Sequence, residues 1–599
     1  MPNVNRHDDS PRNNSSEAMT VSSESEREGE PVVHITNHTS GEGNRQSAFM
    51  RVSDEKEGKA DLDAGRLQDY LTGRRWIGLL FVNAVLGFLN GYDVSNLANL
   101  QIPIYQAFGH IELLPWISLS YSVCNVAAIP LARKLTQFYD LKLLGLVSLI
   151  FIAGGAALCG AAPNIESVIV GRAITAVASS IVYQCCLNFT VLFSPPNRLA
   201  LGQAVLGAIF AVGLITGPVI GGAFADNEHA TWRWGFYLII PLCVMGFLSM
   251  ATSLPRYRSP SSKPRLAQLQ EVDWLGNTLH MGTFLLLAAG CTSSGPIFSW
   301  NSASSIVIWV LFPLFLIGYV LQQYFSLGTK PALRIFPCWL LGNRTVTCVA
   351  ICTACSAMAY GVTLYYLPIY FAFAHNLGPL DAAVRMLPFI CTFIVLIFLA
   401  AGLLRVVRFY ISLYLLAGAF MVTGGALLYT IEPSTSEGAV MGYTVLVAVG
   451  AGLIFQAGIP VCSPLLPPAQ RLDQAALHNI SQLGGVAIAL SLAGVIYQNV
   501  GVGLLRDAVG NADYTDGDIR VLLAGAASPI LAHGDPALHD EVVGAVTELI
   551  SRCFLILVVA GALCFVSACF LRWEPLKVDS LSPAPEKEMS DGPVLREEP

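Results

Sequence analysis

Fourteen apolar stretches alternate with short polar connections along residues 76–571. They fall near 76–98, 113–132, 143–162, 168–193, 200–225, 234–254, 275–293, 304–325, 345–371, 386–404, 409–431, 439–463, 475–497 and 553–571. A helix needs about 20 apolar residues to cross a bilayer. Barrel strands would be about ten residues long and alternate in polarity. The run lengths therefore predict an all-α polytopic membrane protein with fourteen transmembrane helices. Two formally charged residues, Asp93 and Arg172, lie inside these stretches. Charge in hydrocarbon is expensive, so each marks a functional-site candidate. The flanks 1–72 and 573–599 are polar and charged. They cannot bury a core, and the pattern predicts disordered tails. No cleavable signal sequence opens the chain.

Lysine and arginine sort the connections. One parity carries Arg133, Lys134 and Lys142, then Arg198, then Arg256, Arg258, Lys263 and Arg265. It continues with Lys330, Arg334 and Arg344, then Arg405 and Arg408, then Arg471. The other parity has Arg233, Arg385, Arg506, Arg520 and Arg552. The positive-inside rule places both termini in the cytosol, and an even span count agrees. The predicted membrane is the plasma membrane, with the vacuolar membrane as alternative. The connection at 498–552 is then outside and acidic. Within it Val542, Val543, Val546, Leu549 and Ile550 share one helical side. That pattern fits either a surface helix capping the outer mouth or an extension of the last span.

Composition agrees with a lipid environment: 54% of residues are hydrophobic and 13% charged, against about 25% charged in soluble domains. A net charge of −7 and no basic patch argue against nucleic-acid binding. Of the fifteen cysteines, nearly all sit singly in apolar runs and read as small core residues, not metal ligands. No P-loop, HExxH or GxSxG element is present, so the expectation is a non-enzyme that uses neither ATP nor a bound cofactor.

Three segments carry a family resemblance. Residues 213–226 read GLITGPVIGGAFAD, and Trp232-Arg233-Trp234-Gly235-Phe236 leads to Pro241. Gly171-Arg172-Ala173-Ile174 opens the fourth stretch. Asp273-Trp274-Leu275-Gly276, Trp300-Asn301-Ser302 and Tyr366-Leu367-Pro368-Ile369-Tyr370-Phe371 add to these. Together they resemble the fungal fourteen-spanner drug:proton antiporters of the major facilitator superfamily, with residues 213–222 matching that branch's antiporter motif. The resemblance implies two six-helix bundles, residues 73–254 and 341–572, separated by a linker over 255–340 with two inserted helices. It also implies alternating access by rocking of the bundles. Four departures stand out. Residues 133–142 read RKLTQFYDLK, where the family's loop carries an Asp at the place of Gln137, a Gly at Asp140 and an Arg at Leu141. The carboxylate that the resemblance assigns to a cytosolic latch is therefore missing from this loop. In the fourth stretch, Ala176 replaces a motif glycine.

Asp93 lies about 17 residues beyond Trp76, in the outer half of the first span. Arg172 starts the fourth span, so the two are at similar depth. Three readings of Asp93 stay open: a proton-coupling carboxylate paired with Arg172, a static ion pair, or a boundary residue. Thr175, Ser179, Tyr183, Cys186 and Thr190 follow Arg172 at helical spacing, and Asn83, Gly87 and Asn90 make a face on the first span. These faces suit a cavity lining or interhelical contacts. In the second half Ser356, Tyr360 and Thr363 form a stripe, Gln456 stands alone, and His478, Gln482 and Gly485 align. The candidate substrate cavity is Asn90, Thr175, Ser179, Tyr183, Ser356, Tyr360, Gln456 and Gln482. Amides, hydroxyls and aromatics among apolar residues suit a small hydrophobic organic compound. Gly213, Gly217, Gly221 and Gly222 with Pro218 predict a kinked helix whose small-residue face seals against the opposite bundle. The predicted function is export of such a compound, a toxin, secondary metabolite or drug, in exchange for protons, by a monomer. Transport of a siderophore, uniport, and a non-transporting membrane sensor are the alternatives.

Overall fold

The structure is a computed structural model. It describes residues 73–108, 114–225, 231–258, 272–295, 298–377, 379–406, 409–467, 470–510 and 536–573, with Ile519 and Leu523. The predicted tails, apart from residue 573, and much of the 498–552 connection lie outside these residues.

Fourteen long helices account for the fourteen stretches. In the first half they are α1 (Arg74–Ser95), α2 (Leu114–Phe138), α3 (Leu141–Gly160), α4 (Ile165–Phe193), α5 (Pro196–Ala225) and α6 (Ile239–Ser253). The inserted pair is α7 (Trp274–Ser293) and α8 (Ala303–Phe325). The second half has α9 (Arg344–Ala374), α10 (Leu387–Val406), α11 (Tyr410–Tyr429), α12 (Glu437–Ile454), α13 (Arg471–Val495) and α14 (Pro536–Cys569). Twelve segments among the described residues are long and apolar enough to cross a membrane. The other two expected spans are α2 and α7, helices of 25 and 20 residues that carry more polar side chains. The 542–550 pattern resolves as an extension of the last span. α14 runs without a break for 34 residues, and Val542, Val543, Val546, Leu549 and Ile550 are all buried in it.

Side-chain chemistry sets where helices start. Asp140, Asn164, Asp273, Ser302 and Asn343 each accept a backbone N–H in the first turn of α3, α4, α7, α8 and α9, which satisfies donors the helix leaves free. Asp140, a departure from the family loop, is thus a cap. Arg233 serves the other terminus of α3: its guanidinium donates to the carbonyls of Gly160 and Ala162, at 2.7 and 2.9 Å.

Helices α1–α6 pack into one bundle and α9–α14 into another. The bundles meet where α5 lies against α10 and α2 against α13. α7 packs on α2 and α13, along that seam, while α8 leans on α7. One side of α8 is exposed, as expected of a helix whose apolar surface meets lipid, while Trp309, Phe315 and Tyr319 turn onto α7 and Ser305, Gln322 and Gln323 are buried. The loops with most Lys and Arg share one end, here the basic end.

The densest contact in the first bundle is α1 on α5, and glycine makes it possible. A Cβ on Gly91 would strike the Phe210 carbonyl and lie 2.9 Å from the Leu214 nitrogen. One on Gly213 would strike the Phe88 carbonyl, and one on Gly217 would meet the Ser95 hydroxyl and lie 2.8 Å from the Asn96 nitrogen. Gly221 sits 2.6 Å from the Asn96 carbonyl on the same measure. Two backbones touch with no side chain between them. The antiporter-motif glycines Gly213, Gly217 and Gly221 therefore do not face the opposite bundle, as their pattern suggested. They clamp α5 to α1 within one bundle. Gly222 and Pro218 are only half-buried beside this seam, and α5 continues through Pro218 to Ala225.

Candidate functional site

Three polar layers run through the interior. The first is the buried charge pair. Arg172 Nη1 donates to Asp93 Oδ1 at 2.6 Å and to the Asp93 carbonyl at 3.0 Å. The side chains are 2% and 1% exposed. The fourth-span arginine and first-span aspartate are thus brought together as the depth reasoning required. A third member was missed: Tyr121 of α2 holds its ring 4.2 Å from the Arg172 guanidinium. Ser179 lies near the Tyr121 hydroxyl. Asp93 Oδ2 and Arg172 Nε have no protein hydrogen-bond partner. The pair is therefore incompletely satisfied, with one carboxylate oxygen to spare.

The second layer crosses between bundles. Tyr183 of α4 donates to Gln482 Oε1 of α13 at 3.3 Å, and Gln482 Nε2 donates to the Phe455 carbonyl at 3.3 Å. One turn nearer the basic end, Asn479 Nδ2 donates to Gln184 Oε1 at 3.2 Å, and Gln184 Nε2 to Asn188 Oδ1 at 2.9 Å. Gln456 rests on Gly207 of α5, where a Cβ would collide with it, and lies within reach of Tyr183. Neither Gln456 nor Gln203 has a hydrogen-bond partner for either amide atom. An aromatic wall completes the layer: the Tyr360 ring is 4.6 Å from Phe393 and 5.2 Å from Phe455, and Phe393 is 5.1 Å from Phe455. The Tyr360 hydroxyl is buried and unpartnered. Across the seam, Tyr183 packs on Phe210.

Of the sequence-derived cavity residues, Tyr183, Tyr360, Gln456 and Gln482 converge here. The others do not. Thr175 is wedged against Gly155 of α3, and its hydroxyl bonds to the Gly171 carbonyl at 2.9 Å. Asn90 bonds to Leu86 of its own helix, and Ser356 to Thr353 of its own. Ser179 lies beside the Tyr121 hydroxyl instead. Asn83 and Thr190 join each other at 2.8 Å inside the first bundle. The 3.6-residue stripe on α4 therefore serves neighbouring helices over much of its length. Gln184, Asn188 and Asn479 escaped notice because each stands one or two residues beside a chosen stripe. The i,i+4 spacing of Gln184 and Asn188 was the available signal.

The third layer closes the basic end. Arg133 of α2 forms an ion pair with Asp473 of α13, both buried. Gln137 Nε2 donates to the same Asp473 Oδ1 at 2.7 Å. The loop that lacks the family's carboxylate is thus latched to the other bundle by a carboxylate from α13. Arg133 also donates to the Ile335 carbonyl through Nε (3.1 Å) and Nη2 (2.8 Å), and to the Arg334 carbonyl at 2.6 Å. His478, about one and a half turns further along α13, is buried beside Gly458 and Thr353.

Comparison with known proteins follows the same lines. Residues 84–490 match the model of the Major Facilitator Superfamily. The chain is 32% identical over 508 residues, 84% of its length and 91% of the other, to an efflux pump, patC, of Aspergillus clavatus. It is 32% identical over 523 residues, 86% and 94% of the two chains, to an MFS-type transporter, patC, of Penicillium expansum. An efflux pump, DEP3, of Fusarium langsethiae is 29% identical over 512 residues, 85% and 92% of the two chains. Among solved structures, the proton:xylose symporter XylE superposes with a TM-score of 0.54 at 10% identity, covering 84% of this chain and 98% of that one. A bacterial homologue of the lysosomal transporter Spinster gives 0.53 at 14%, covering 84% and 100%. At these identities the two structures speak to the fold alone.

Proposed function

The chain belongs to the Major Facilitator Superfamily, and we propose on that premise that it exports a small, uncharged, weakly polar organic compound in exchange for protons. As a multi-pass membrane transporter it moves organic cargo across a bilayer, a non-enzymatic role. Its relatives include efflux pumps of filamentous fungi. The cargo class rests on one observation: the layer between the bundles offers rings, a hydroxyl and the unpartnered amide of Gln456, with a second unpartnered amide, Gln203, buried one turn before Gly207 on α5. Buried polar groups without partners are costly, and a cargo with donors and acceptors offsets that cost while it is bound. Aromatic walls with a few placed polar groups suit hydrophobic ligands. The two charges in the apolar stretches already neutralise each other, which leaves little to attract an ionic cargo.

For coupling, Asp93 is the proton carrier. Its Oδ2 makes no full hydrogen bond, with the Tyr121 hydroxyl within reach, so a proton can be taken there with little rearrangement. Protonation removes the countercharge of Arg172. The guanidinium then keeps the Asp93 carbonyl and the Tyr121 ring. α1, which carries Asp93, is clamped backbone to backbone on α5, and α5 meets α10 and Gln456 of the second bundle. A shift of α1 on protonation therefore moves the wall of the cargo layer. The proton gradient, not ATP, drives the cycle, in a monomer with both termini cytosolic. The membrane is the plasma membrane or the vacuolar membrane.

The test uses inside-out vesicles from cells that express the chain, with an imposed pH gradient. Accumulation of a neutral hydroxylated flavone is expected, with none of the permanent cation ethidium. Gln456→Leu should slow flavone uptake about tenfold, the worth of one or two hydrogen bonds. Ethidium uptake without flavone uptake would overturn the cargo assignment.

A further inference from the structure

The inserted pair α7–α8 has no counterpart in the two-bundle scheme, yet its basic end is wired into the latch. Asp273 caps α7 through Gly276 N at 2.8 Å. The same buried carboxylate accepts from Gln322 Nε2 at 2.9 and 3.0 Å and from Gln323 Nε2 at 3.0 Å, both at the last turn of α8. Gly276 makes room for this: a Cβ there would collide with Asp273 Oδ2 and lie 2.6 Å from Gln323 Nε2. The other end of the Gln323 amide accepts the Phe336 N–H at 3.1 Å. Phe336 directly follows Arg334 and Ile335, whose carbonyls receive Arg133. Arg334 is tied back to α8 by its guanidinium, on Ser326 Oγ at 2.7 Å and the Tyr324 carbonyl at 3.0 Å. Trp339, further along the same segment, lies 5.8 Å from the Arg133 guanidinium.

We propose that Asp273, Gly276 and Gln323 are positioning residues for Arg133, so that the inserted helix pair holds the basic-end latch shut. The guanidinium is a rigid fork. With Nε and Nη2 committed to the carbonyls of residues 334 and 335, Nη1 has one direction left, toward Asp473. Gln323 fixes those carbonyls by holding the next N–H, and Asp273 fixes Gln323. Asp273-Trp274-Leu275-Gly276 thereby acquires a physical meaning: the aspartate starts α7 and receives α8, and the glycine allows the approach. The proposal rests on the two bundles separating at this end during transport. It requires no particular cargo.

The test measures hydrogen–deuterium exchange of the full chain in lipid nanodiscs, without cargo, at residues 133–139 and 471–477. Asp473→Asn should speed exchange there about tenfold, the loss of one charge-assisted bond. Asp273→Asn keeps a good cap but loses an acceptor for the glutamines, and Gly276→Ala displaces Gln323. Each should speed exchange several-fold at the same two segments, and Arg133→Lys, which keeps charge but not the fork, should do the same. In the double variants Asp273→Asn with Asp473→Asn and Gly276→Ala with Asp473→Asn, no further acceleration is expected, because all act through one contact. Additive acceleration in folded double variants would make the inserted pair a separate structural element and overturn the proposal. Unchanged exchange in Gly276→Ala would do the same. If Asp273→Asn fails to fold, the Gly276→Ala pair carries the comparison. Since no cargo is used, a failed export assay leaves this result standing, and the reverse holds.

Discussion

The replacement Asp93→Asn separates a coupling carboxylate from a static ion pair. Removing one member of a buried pair costs about 3–5 kcal/mol, because the other charge is stranded. Here the loss is smaller. Asn keeps an acceptor for Arg172 Nη1, and a hydrogen bond to a charged group is worth about 1.5–3 kcal/mol. The bond to the Asp93 carbonyl and the Tyr121 ring contact are untouched. A net destabilisation of about 2 kcal/mol remains on these figures, so the protein should fold. Asp93→Ala, which removes the acceptor as well, should be less stable than Asp93→Asn in a thermal-shift assay. Adding Arg172→Gln removes the stranded charge, so Asp93→Asn with Arg172→Gln should recover most of the stability. The two readings part over transport. If Asp93 carries the proton, both Asp93→Asn and the double variant lose uphill export driven by a pH gradient. Cargo exchange without a gradient continues in both. If the pair is only structural, the double variant regains driven export along with its stability. Accumulation against a gradient in Asp93→Asn vesicles would refute the coupling role. The proton would then have to pass by another group, such as His478 or the buried carboxylates Asp473 and Asp273, or by no protein carboxylate, since Asp140 is occupied as a helix cap.

Gly217→Leu should fail to reach the membrane in folded form, because its side chain would meet Ser95 of α1 and the backbone of Asn96 just beyond it, with no long side chain to move aside. Overpacking costs typically about 1–3 kcal/mol, and backbone contact puts this site at the upper end. Normal expression and transport of that variant, judged by gel filtration and uptake, would mean the α1–α5 seam is looser than its glycines imply. Epitope tags at either terminus should be reached by antibody only after permeabilisation, and labelling of intact cells at either end would contradict the orientation read from Lys and Arg.

How much was legible in the sequence follows from the kind of force involved. Helices and their ends follow from hydropathy, which is local and one-dimensional. Even so, α2 and α7 are less apolar than the rest because they carry residues such as Asn125, Asn277 and His280 that are buried among helices. Asp93 and Arg172 were found because a charge in hydrocarbon needs a partner and only two were available at that depth. Tyr121 was invisible, since nothing in a tyrosine's place on a helix announces a cation over its face. The glycine run on α5 signalled close approach correctly, yet a glycine states only that something comes near. It named the wrong neighbour. The latch was misjudged for a related reason. Gln137 in the carboxylate's place looked like a loss, but the carboxylate at this contact comes from Asp473, 336 positions away in the chain. Asp473 was counted as loop because it lies two residues inside α13, just short of the apolar run. A pairing between such distant positions leaves no periodic trace.

These positions place the machinery on few moving parts. α2 carries Tyr121 against Arg172 near one end and Arg133 against Asp473 near the other, about 18 Å apart along the helix axis. α1 carries Asp93 and is fused by glycines to α5, which supports Gln456. On the proposed coupling, a proton arriving at Asp93 acts on two helices at once. Through Arg172 and Tyr121 it bears on α2 and the latch, and through α1 it bears on α5 and the cargo layer. Packed helices switch between discrete arrangements; they do not deform continuously. If Asp93 is the proton carrier, a single protonation releases the latch and reshapes the cargo layer in one step, without a separate signal between them.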